Sequence, residues 1–570
     1  MIIWRTKEPD PILVLKLQKE FHAPEIIARV LANRNIRSLE ESRPFFSPDL
    51  SQLHDPFLML NMEKAAERVV KQIHKKGKIF IFGDYDVDGT SGVSVLYLTL
   101  NSLGADVKAY IPDRKKEGYG LSEHGIDVAV GFGADLLITC DCGINAFQPI
   151  EYANRKKVDV IITDHHIPDP KLPNAYAVLN PNQKNCTYPF KGLCGAGVAF
   201  KLAFAVEQIM GHQDIQAFQH LDLVTLGTAA DLVPILDENR VIVSHGLKLL
   251  ENPDKPGLRA LLDVSGLSDK TLTVWNLVFG LAPRINAAGR MGDANRAVKL
   301  FIEDDFFECV RLAKALDKEN SIRKTIQETI VEEALFKVNT EVDLDKERAI
   351  VLWDNTWHPG VIGIVASRIK EEFHRPVIII STDSDPGKGS ARSIHNFDLY
   401  LKLSKCADNL EGFGGHPMAA GLTISVKNLN NFRQAFINIA NESLSDDDLV
   451  KTLDVEGEMS LNIIDKRFMS FLHKLAPYGP GNMRPVFVTK GIQSSGTPRL
   501  VGNGDHLKFT AKQNGKSIDA IGFNMANHYE HLITGNPIDI AYVIEENEWQ
   551  GVKSIQLNIR DIKPMKVNTL

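Results

Sequence analysis

The chain has 570 residues, of which 44% are hydrophobic, and carries a formal net charge of -7. This length predicts about three or four domains with ordinary cores, and the charge excludes general attraction to polyanions. Residues 461–570, however, hold 13 Lys and Arg against 9 Asp and Glu, which predicts a modestly basic C-terminal module. Six scattered cysteines are typical of reduced thiols. Because no signal-peptide core and no apolar run of about 18 residues is found, we expect a cytoplasmic protein without a membrane span.

The first 240 residues predict a helical start followed by alternating strands and helices. Residues 1–60 are punctuated by prolines and predict short helices, and Lys64–His74 predicts a helix that leads into the first strand. Four apolar runs then predict strands, at Ile79–Phe82, Leu136–Cys140, Val158–Thr163 and Ala177–Leu179. Helical segments separate these strands. Continuous apolar strands that alternate with helices indicate a parallel sheet covered on both faces.

The remainder of the chain predicts three further regions. Isoleucines at every fourth position between charged residues predict a long connector helix. A second α/β segment begins near residue 348, and after residue 477 short alternating strands predict a small β-barrel of the OB type. We therefore expect an N-terminal helical extension (1–60), a parallel-sheet α/β domain (61–292), a connector helix (293–344), a second α/β domain (345–450) and an OB-like barrel (451–570).

Acidic residues and histidines follow three of the predicted strands. Because the carboxyl ends of parallel strands meet at one edge of a sheet, we expect these side chains to lie close together. Carboxylate oxygens with some imidazole suit Mg²⁺ or Mn²⁺, and two such ions about 4 Å apart would hold a phosphodiester for in-line attack. The candidate ligands are Asp84, Asp86, Asp88, Asp141, His165 and, after a later apolar helix, Asp231.

Each motif alone also has a structural explanation. The repeated acids of 84–89 are typical of a calcium loop, although such loops need a Glu at the twelfth position, where this chain has Val95. Asp164 fits a helix cap ahead of two surface histidines. Asp141 fits a turn at the end of a strand. We favour the metal site because all four segments, at 84–88, 141, 164–166 and 231, occur in this order in one chain, which the separate structural explanations do not account for.

Two neighbouring features are weaker signals. Cys140 and Cys142 have no second cysteine pair at zinc spacing, so we expect buried thiols that flank a carboxylate. The glycine-rich segment 195–200 fits close helix packing as well as phosphate contact.

The order of these motifs resembles that of the DHH phosphoesterase superfamily. The four segments that carry the likeness are Gly83-Asp84-Tyr85-Asp86-Val87-Asp88-Gly89, Asp141-Cys142-Gly143, Asp164-His165-His166 and Gly227-Thr228-Ala229-Ala230-Asp231. In the second α/β domain, the segments 357–366 and 414–417 resemble the associated DHHA1 domain. Segments 193–202 and 283–291 extend the likeness over almost the whole chain. Together, these segments resemble the RecJ family of bacterial single-strand-specific exonucleases.

The resemblance implies a metal-dependent nuclease that degrades single-stranded DNA from 5′ to 3′ to mononucleotides, in recombination and in mismatch and base-excision repair. It implies Mn²⁺ or Mg²⁺ at a two-metal site. The implied metal shell is Asp84, Asp86, Asp88, Asp141, His165 and Asp231. The implied catalytic residues are Asp86, Asp141, His165 and His166, the last contacting the scissile phosphate or an oxygen bound to a metal. Some superfamily members have a His where this chain has Phe82, and Asp84 then takes over that role.

A second set of residues is expected to hold the substrate. Gly414 and Gly415 let backbone N–H groups approach a phosphate, and His416 adds a donor. Arg392 offers a bidentate phosphate contact. Without the resemblance, a tight turn and a surface charge would explain these residues better. Further contacts to the DNA backbone are expected from Arg284, Asn286 and Arg290, with structural salt bridges as the alternative.

The barrel is expected to extend the path of the DNA. Its candidate contacts are Arg484, Lys508 and Lys512. Phe487, Phe509 and Phe523 are candidates for base stacking, but barrel core is the better prediction for each. We expect a monomer whose partners are single-stranded DNA, a RecQ-type helicase and a single-strand-binding protein. The alternatives are a DHH enzyme for short RNA or cyclic dinucleotides, and an inactive DHH scaffold, which would tend to lose the metal ligands.

Overall fold

A computed structural model describes residues 2–113, 117–118, 120–291, 293–549 and 552–565. The chain divides into two compact units. Unit 1 comprises Met1–Gln52, Pro234–Arg240 and Lys451–Leu570, and unit 2 comprises Leu53–Val233 and Val241–Val450. None of the helices in the described ranges is both long enough and apolar enough to cross a membrane.

The strands in the described residues are, in chain order, β1 (Ile3–Thr6), β2 (Lys78–Gly83), β3 (Asp106–Tyr110), β4 (Leu136–Cys140), β5 (Asp159–Thr163), β6 (Ala177–Leu179), β7 (Ile350–Asp354), β8 (Val377–Ser381), β9 (Gly387–Arg392), β10 (Gly412–His416), β11 (Ala419–Ile424), β12 (Thr452–Val455), β13 (Gly457–Glu458), β14 (Phe487–Val501), β15 (His506–Gln513), β16 (Lys516–Gly522), β17 (Ile538–Trp549) and β18 (Val552–Pro564). The helices are α1 (Pro11–Phe21), α2 (Glu25–Ala32), α3 (Leu39–Phe46), α4 (Met62–His74), α5 (Val87–Ser102), α6 (Glu123–Phe132), α7 (Phe147–Arg155), α8 (Gly195–Ile209), α9 (Leu221–Ala230), α10 (Asp237–Glu251), α11 (Pro256–Val264), α12 (Val274–Asn276), α13 (Ala282–Met291), α14 (Asn295–Ile302), α15 (Phe306–Glu341), α16 (Ile362–Phe373), α17 (Leu399–Ser404), α18 (Leu429–Ser443), α19 (Lys466–Leu475) and α20 (Tyr529–Ile533). A π-helical turn, Leu277–Leu281, joins α12 to α13.

A five-stranded parallel sheet organises the first half of unit 2. Its strand order is β3-β2-β4-β5-β6, and its central strands are almost wholly buried. Gly83 pairs with Cys140, and Cys140 pairs with Thr163, so β2, β4 and β5 end in register. The residues that follow these three strands therefore emerge at the same edge of the sheet.

Helices α5, α8 and α9 pack closely beside this edge. A Cβ atom added to Gly92 of α5 would lie 3.2 Å from the Cα atom of Ala196 in α8. Gly195 and Gly227 likewise leave no room for a Cβ, because Asp141 and Asp88 approach within 2.4 and 2.6 Å. The glycine-rich start of α8 therefore serves close packing in this structure.

The second half of unit 2 is a mixed five-stranded sheet in the order β10-β11-β9-β8-β7. The connector predicted from the isoleucine pattern is α15, which has 36 residues and extends over about 54 Å. Ile330 and Ala334 on this helix are buried against the core of the second sheet, whereas Ile322 is exposed. The predicted β-strand near residue 350 is β7.

Unit 1 contains a closed barrel of five strands, extended by the two-residue strand β13, with the N-terminal helices packed on it. The sheet order is β13-β14-β15-β16-β18-β17, and the pairing of β14 with β17 closes the barrel. Apolar residues of α1 and α2 share one core with those of the barrel. The N-terminal strand β1 was missed in the sequence because its partner, β12, begins about 450 residues later, with Ile3 opposite Thr452.

The predicted fold class is confirmed. A parallel-sheet domain, a long helix, a second α/β domain and a C-terminal OB-like barrel all occur in the predicted order. Five domains with the stated boundaries remain a prediction. The six cysteines are free and buried, as expected for Cys140 and Cys142.

Arg240 holds together the parts of unit 1 that lie far apart in sequence. Its guanidinium lies 3.8 Å from the ring centroid of Phe45. It donates hydrogen bonds to the backbone carbonyl oxygens of Phe45, Lys474, Leu475, Ala476 and Pro477. The side chain is buried, and burial lowers its pKa to about 10.

We predict that Arg240→Met lowers the free energy of unfolding of unit 1 by about 3 kcal/mol or more, because several buried carbonyl groups lose a charged donor. Hydrogen exchange of the β14 amides in the full-length protein measures this effect. Arg5→Met, which removes an exposed ion pair with Asp454 in the same unit, serves as the control and should change exchange little. Equal protection in the two variants would contradict the prediction.

Candidate metal centre

The turn after β2 brings three carboxylates together. Asp86 caps the N-terminus of α5, since its Oδ1 accepts a hydrogen bond from the Gly89 backbone N–H at 3.0 Å. A Cβ atom at Gly89 would lie 2.5 Å from the backbone oxygen of Asp84, so the turn requires glycine there. Asp84 and Asp88 are both buried.

Asp88 is bound to the N-terminus of α8. Its two carboxylate oxygens accept hydrogen bonds from the backbone N–H groups of Gly195 and Ala196, at 2.6 and 2.9 Å. The partial positive charge of a helix N-terminus favours an anion at this position. Asp88 is therefore both a candidate ligand and a link between α5 and α8.

The loop after β5 is fixed by Asp164. Its Oδ1 accepts hydrogen bonds from the backbone N–H groups of His165 and His166 and lies 2.7 Å from Nδ1 of His166, whereas Oδ2 accepts one from Ile144. No helix follows Asp164 directly, so it does not act as a helix cap. The side chains of Asn180 and Asn182 donate to the backbone oxygens of His166 and His165.

His165 lies at the centre of the cluster. Its Nε2 is 3.1 Å from Asp141 Oδ1, 3.6 Å from Asp231 Oδ2 and 3.8 Å from Asp88 Oδ2. His166 Nδ1 is 3.9 Å from Asp141 Oδ1. Within the described residues, three groups have ligand atoms that lie within 4.8 Å of one another. These groups are Asp84, Asp86 and Asp141; Asp141, His165 and His166; and Asp88, His165 and Asp231.

Burial and mutual repulsion act on the carboxyl groups of the cluster. Burial, followed by the charge of Asp88, raises the pKa of Asp141 well above its ordinary value. The same two causes raise the pKa of Asp86. They also raise the pKa of Asp231 to about 8. In the absence of a cation, the site therefore favours protonated carboxyl groups.

The two histidines differ in charge. Burial lowers the pKa of His165, which favours the neutral imidazole that a metal ligand needs. Burial also opposes the charged form of His166, but the hydrogen bond with Asp164 and the surrounding carboxylates raise its pKa to about 9. The same hydrogen bond outweighs burial at Asp164, whose pKa is lowered. His166 and Asp164 therefore form an ion pair at neutral pH.

The residues present fit a hard divalent cation. Among the described residues, Asp141 Oδ1 and His165 Nε2 are fully buried and have no hydrogen bond of acceptable geometry, although they lie 3.1 Å apart. Buried polar atoms of this kind are rarely left unsatisfied. The donor set of carboxylate oxygens and imidazole nitrogens suits Mn²⁺ and Mg²⁺. The ligand assignments themselves remain predictions.

Arg392 is the last residue of β9 in the second sheet and is partly buried. Its guanidinium donates hydrogen bonds to the hydroxyl oxygens of Ser367 and Ser390 and to the backbone oxygen of Ala391. Burial lowers its pKa. Within the described part of the chain, no carboxylate acts on it, so its charge is available to an anion.

The glycine-rich strand β10 lies at the edge of the same sheet. Gly415 has φ 143°, and a Cβ atom there would lie 2.4 Å from the backbone oxygen of Ala419, so glycine is required. A Cβ at Gly414 would point into open space. Ala419 pairs with both His416 and Arg392, which places His416 and Arg392 in one row on one face of the sheet.

The three residues predicted on α13 have partners within the protein. Arg284 forms an ion pair with Asp317 at 2.8 Å, the alternative that the sequence left open. Asn286 Oδ1 accepts a hydrogen bond from the backbone N–H of Val87, at the start of α5, at 3.2 Å. Arg290 donates to the backbone oxygen of Gly360. Their contacts with DNA remain predictions.

The candidate residues of the barrel differ in their exposure. Phe487 and Phe509 are buried core residues, as predicted, but the core prediction was wrong for Phe523, which is 49% exposed. In β16 the inward residues are Ile518, Ala520 and Gly522, so the alternation of the strand turns the next residue, Phe523, outward, and its ring packs edge-on against His506. Lys508 and Lys512 lie on β15.

Arg484, the third cationic candidate of the barrel, stacks on the Tyr478 ring with its Cζ atom 4.8 Å from the centroid. Sequence reasoning also missed the role of Asp164, Asn180 and Asn182 in fixing the histidine loop. The position of Asp164 before two histidines was a readable signal, whereas nothing in the local sequence identifies the two asparagines.

Three family models match the chain. The model of the DHH family, N-terminal domain, matches residues 78–228, the DHHA1 domain matches residues 346–442 and the RecJ OB domain matches residues 455–561. The order of these matches is the order of the sheets and barrel described above.

Curated relatives and solved structures agree with these matches. The chain is 38% identical over 560 residues to the single-stranded-DNA-specific exonuclease RecJ of Bacillus subtilis, covering 98% of this chain and 70% of that protein. It is 33% identical over 566 residues to the Escherichia coli protein of the same name, covering 95% and 96%. The crystal structure of Thermus thermophilus RecJ in complex with Mn²⁺ matches with a TM-score of 0.84 and 28% identity, over 99% of this chain and 79% of that chain. The chain therefore belongs to the RecJ family of the DHH phosphoesterases.

Proposed function

We propose that the chain is a metal-dependent exonuclease specific for single-stranded DNA, which it degrades from 5′ to 3′ to mononucleotides. The observation that carries this proposal is the convergence of carboxylates and imidazoles from four segments at the carboxyl edge of the parallel sheet. The family membership is consistent with it. An inactive scaffold does not need such a buried and mutually repulsive cluster.

The residues proposed to hold two Mn²⁺ or Mg²⁺ ions are Asp84, Asp86, Asp88, Asp141, His165 and Asp231. When bound, such ions supply Lewis acidity toward the phosphodiester and lower the pKa of a water nucleophile. Asp141 and His165 each belong to two of the three ligand groups, and Asp141 is the carboxylate that the groups share. Neutral His165 offers a nitrogen lone pair.

His166 is proposed to act on the substrate rather than on a metal. Its imidazolium is held by Asp164 and lies at the surface of the cluster, with 34% of the side chain exposed. A protonated imidazole there donates a hydrogen bond to an oxygen of the scissile phosphate. Asp164 keeps the ring in place.

The guanidinium of Arg392 is proposed to bind another phosphate of the strand. A largely buried guanidinium without a carboxylate partner favours an anion, and a phosphate accepts two of its N–H groups at once. His416 and the backbone of Gly414 and Gly415 lie in the same sheet. Arg284, Asn286 and Arg290 are proposed as further contacts to the DNA backbone.

The wider cellular role follows from the same proposal. We propose that the protein is located in the cytoplasm. We also propose that it acts in recombination and in mismatch and base-excision repair. Its proposed partners are a RecQ-type helicase, which would supply single strands, and a single-strand-binding protein. We propose that it works as a monomer.

We predict early release of the label from 5′-labelled single-stranded DNA with Mn²⁺ or Mg²⁺, and late release from the 3′-labelled strand. A blunt duplex of the same sequence should be cleaved far more slowly. The measurement is the time course of mononucleotide release. No release with either metal, despite tight DNA binding, would favour the scaffold instead.

We predict that Asp141→Asn lowers turnover at least about a thousandfold, because the carboxylate shared by two of the proposed ligand groups is lost. Asparagine has the same size and tolerates the φ of 61° at this position. Since the change also removes a buried charge, the melting temperature of the metal-free protein should not fall, and at pH 9 it should exceed that of the wild type. Asp127→Asn, at an exposed carboxylate on α6, is the control and should leave both quantities unchanged. Substantial activity of Asp141→Asn with metal present would reject its role.

We predict that the metal-free protein loses stability as the pH rises from 6 to 9. The carboxyl of Asp231 has its pKa raised from 3.8 to about 8, so its contribution is complete below pH 3.8 and is lost as the pH rises through 8. His166, with its pKa raised from 6.5 to about 9, changes stability in the same direction. Because the ligands must lose protons, the increase in melting temperature caused by Mn²⁺ should be larger at pH 8.5 than at pH 6.5. An increase that is independent of pH would contradict this.

A further inference from the structure

Leu232, the residue after Asp231, has an unfavourable backbone conformation and little contact with the protein. Helix α9 ends at Ala230, and Leu232 has φ 58° at the position beyond the cap, where glycine is the usual residue. A side chain in the left-handed region brings Cβ close to the backbone carbonyl. Leu232 is also 56% exposed, so packing within the protein does not offset this strain.

Ile167, the residue after His166, is 73% exposed. The preceding backbone is held by hydrogen bonds from Asn182 to the His165 carbonyl at 2.6 Å and from Asn180 to the His166 carbonyl at 2.8 Å. Ile167 therefore follows directly on a backbone segment whose two histidine carbonyl groups are held by hydrogen bonds.

Both apolar residues flank the metal centre. Each directly follows a residue of the cluster, and the cluster atoms His165 Nε2 and Asp231 Oδ2 are 3.6 Å apart. An occupant of this surface must suit both a cation-binding cluster and exposed aliphatic groups. A nucleotide meets both demands, because it joins a phosphate to a base and a deoxyribose with apolar faces.

We propose that Leu232 and Ile167, the nucleoside contact pair, pack against the base and sugar of the nucleotide whose phosphate enters the metal centre. This inference rests on the proposed nuclease function and adds the residues that bind the nucleoside. Every base has an apolar face, so such contacts bind any sequence. Backbone strain and an exposed apolar side chain are expected at a functional residue when contact with the ligand offsets their free-energy cost.

The first test is Leu232→Gly, which removes the side chain and relieves the backbone strain. We expect kcat/KM for single-stranded DNA to fall about tenfold, mainly through KM, as for a leucine that is buried on binding. The melting temperature should be at least that of the wild type, and the Mn²⁺-induced shift in melting temperature should be unchanged. A merely structural leucine would instead lower the melting temperature when removed.

Lys157→Gly is the matched control. Lys157 is exposed, has φ 60° and stands at the same position beyond the cap of α7. It precedes β5 and so lies at the opposite edge of the sheet from the metal centre. This variant should relieve the same left-handed backbone strain and leave kcat/KM unchanged.

The second test is Ile167→Ser, for which we also expect about a tenfold loss of kcat/KM with an unchanged Mn²⁺-induced shift. Ile12→Ser, at an isoleucine of α1 that is 77% exposed, is its control and should keep the wild-type value. If the wild type itself releases no nucleotide, the proposed function fails. If the wild type is active and both variants match it, or if the variants lose the Mn²⁺-induced shift, the contact pair is rejected and the nuclease remains.

Discussion

Repulsion between buried carboxylates is the constraint on which the catalytic half of unit 2 depends. Asp84, Asp88 and Asp141 are each at most 4% exposed and are brought to one edge by strands that end in register. Such a cluster is unfavourable unless fixed dipoles or cations neutralise it. The N-terminus of α8 supplies the dipole, through two backbone N–H groups bound to Asp88. The close helix packing follows from this need, and glycines at 89, 195 and 227 make room for it.

The sequence predicted the elements of the fold well because each has a local signal. The strands β2, β4 and β5 are short apolar runs, and α15 follows from the spacing of Ile326, Ile330 and Ala334. Strand β1 has no such signal, since its pairing with β12 depends on residues that are distant in sequence. The exposure of Phe523 was missed although it was readable, because the alternation of β16 places Ile518, Ala520 and Gly522 inward and so turns residue 523 outward.

The candidate site was predicted in part. The position of acids at strand ends gives the residues of the cluster, because the topology of parallel strands is regular. The partners of those residues could not be predicted. Asn286 was expected at the DNA backbone, and it accepts a hydrogen bond from the backbone N–H that begins α5. Such a contact depends on how α13 packs, which no spacing in the sequence encodes.

The charge of the cluster also determines the order in which the proposed enzyme can bind its ligands. Without cations, every ionised carboxylate of the cluster repels a phosphate. At neutral pH, protons bound to Asp141 and Asp231 neutralise part of this negative charge. The imidazolium of His166 is the positive group at its surface, and it is already paired with Asp164. Arg392, by contrast, has no carboxylate partner among the described residues and can bind an anion without help. On the proposed function, a phosphate at Arg392 would therefore need no metal, whereas the cluster would hold a phosphate only with cations bound in place of the protons.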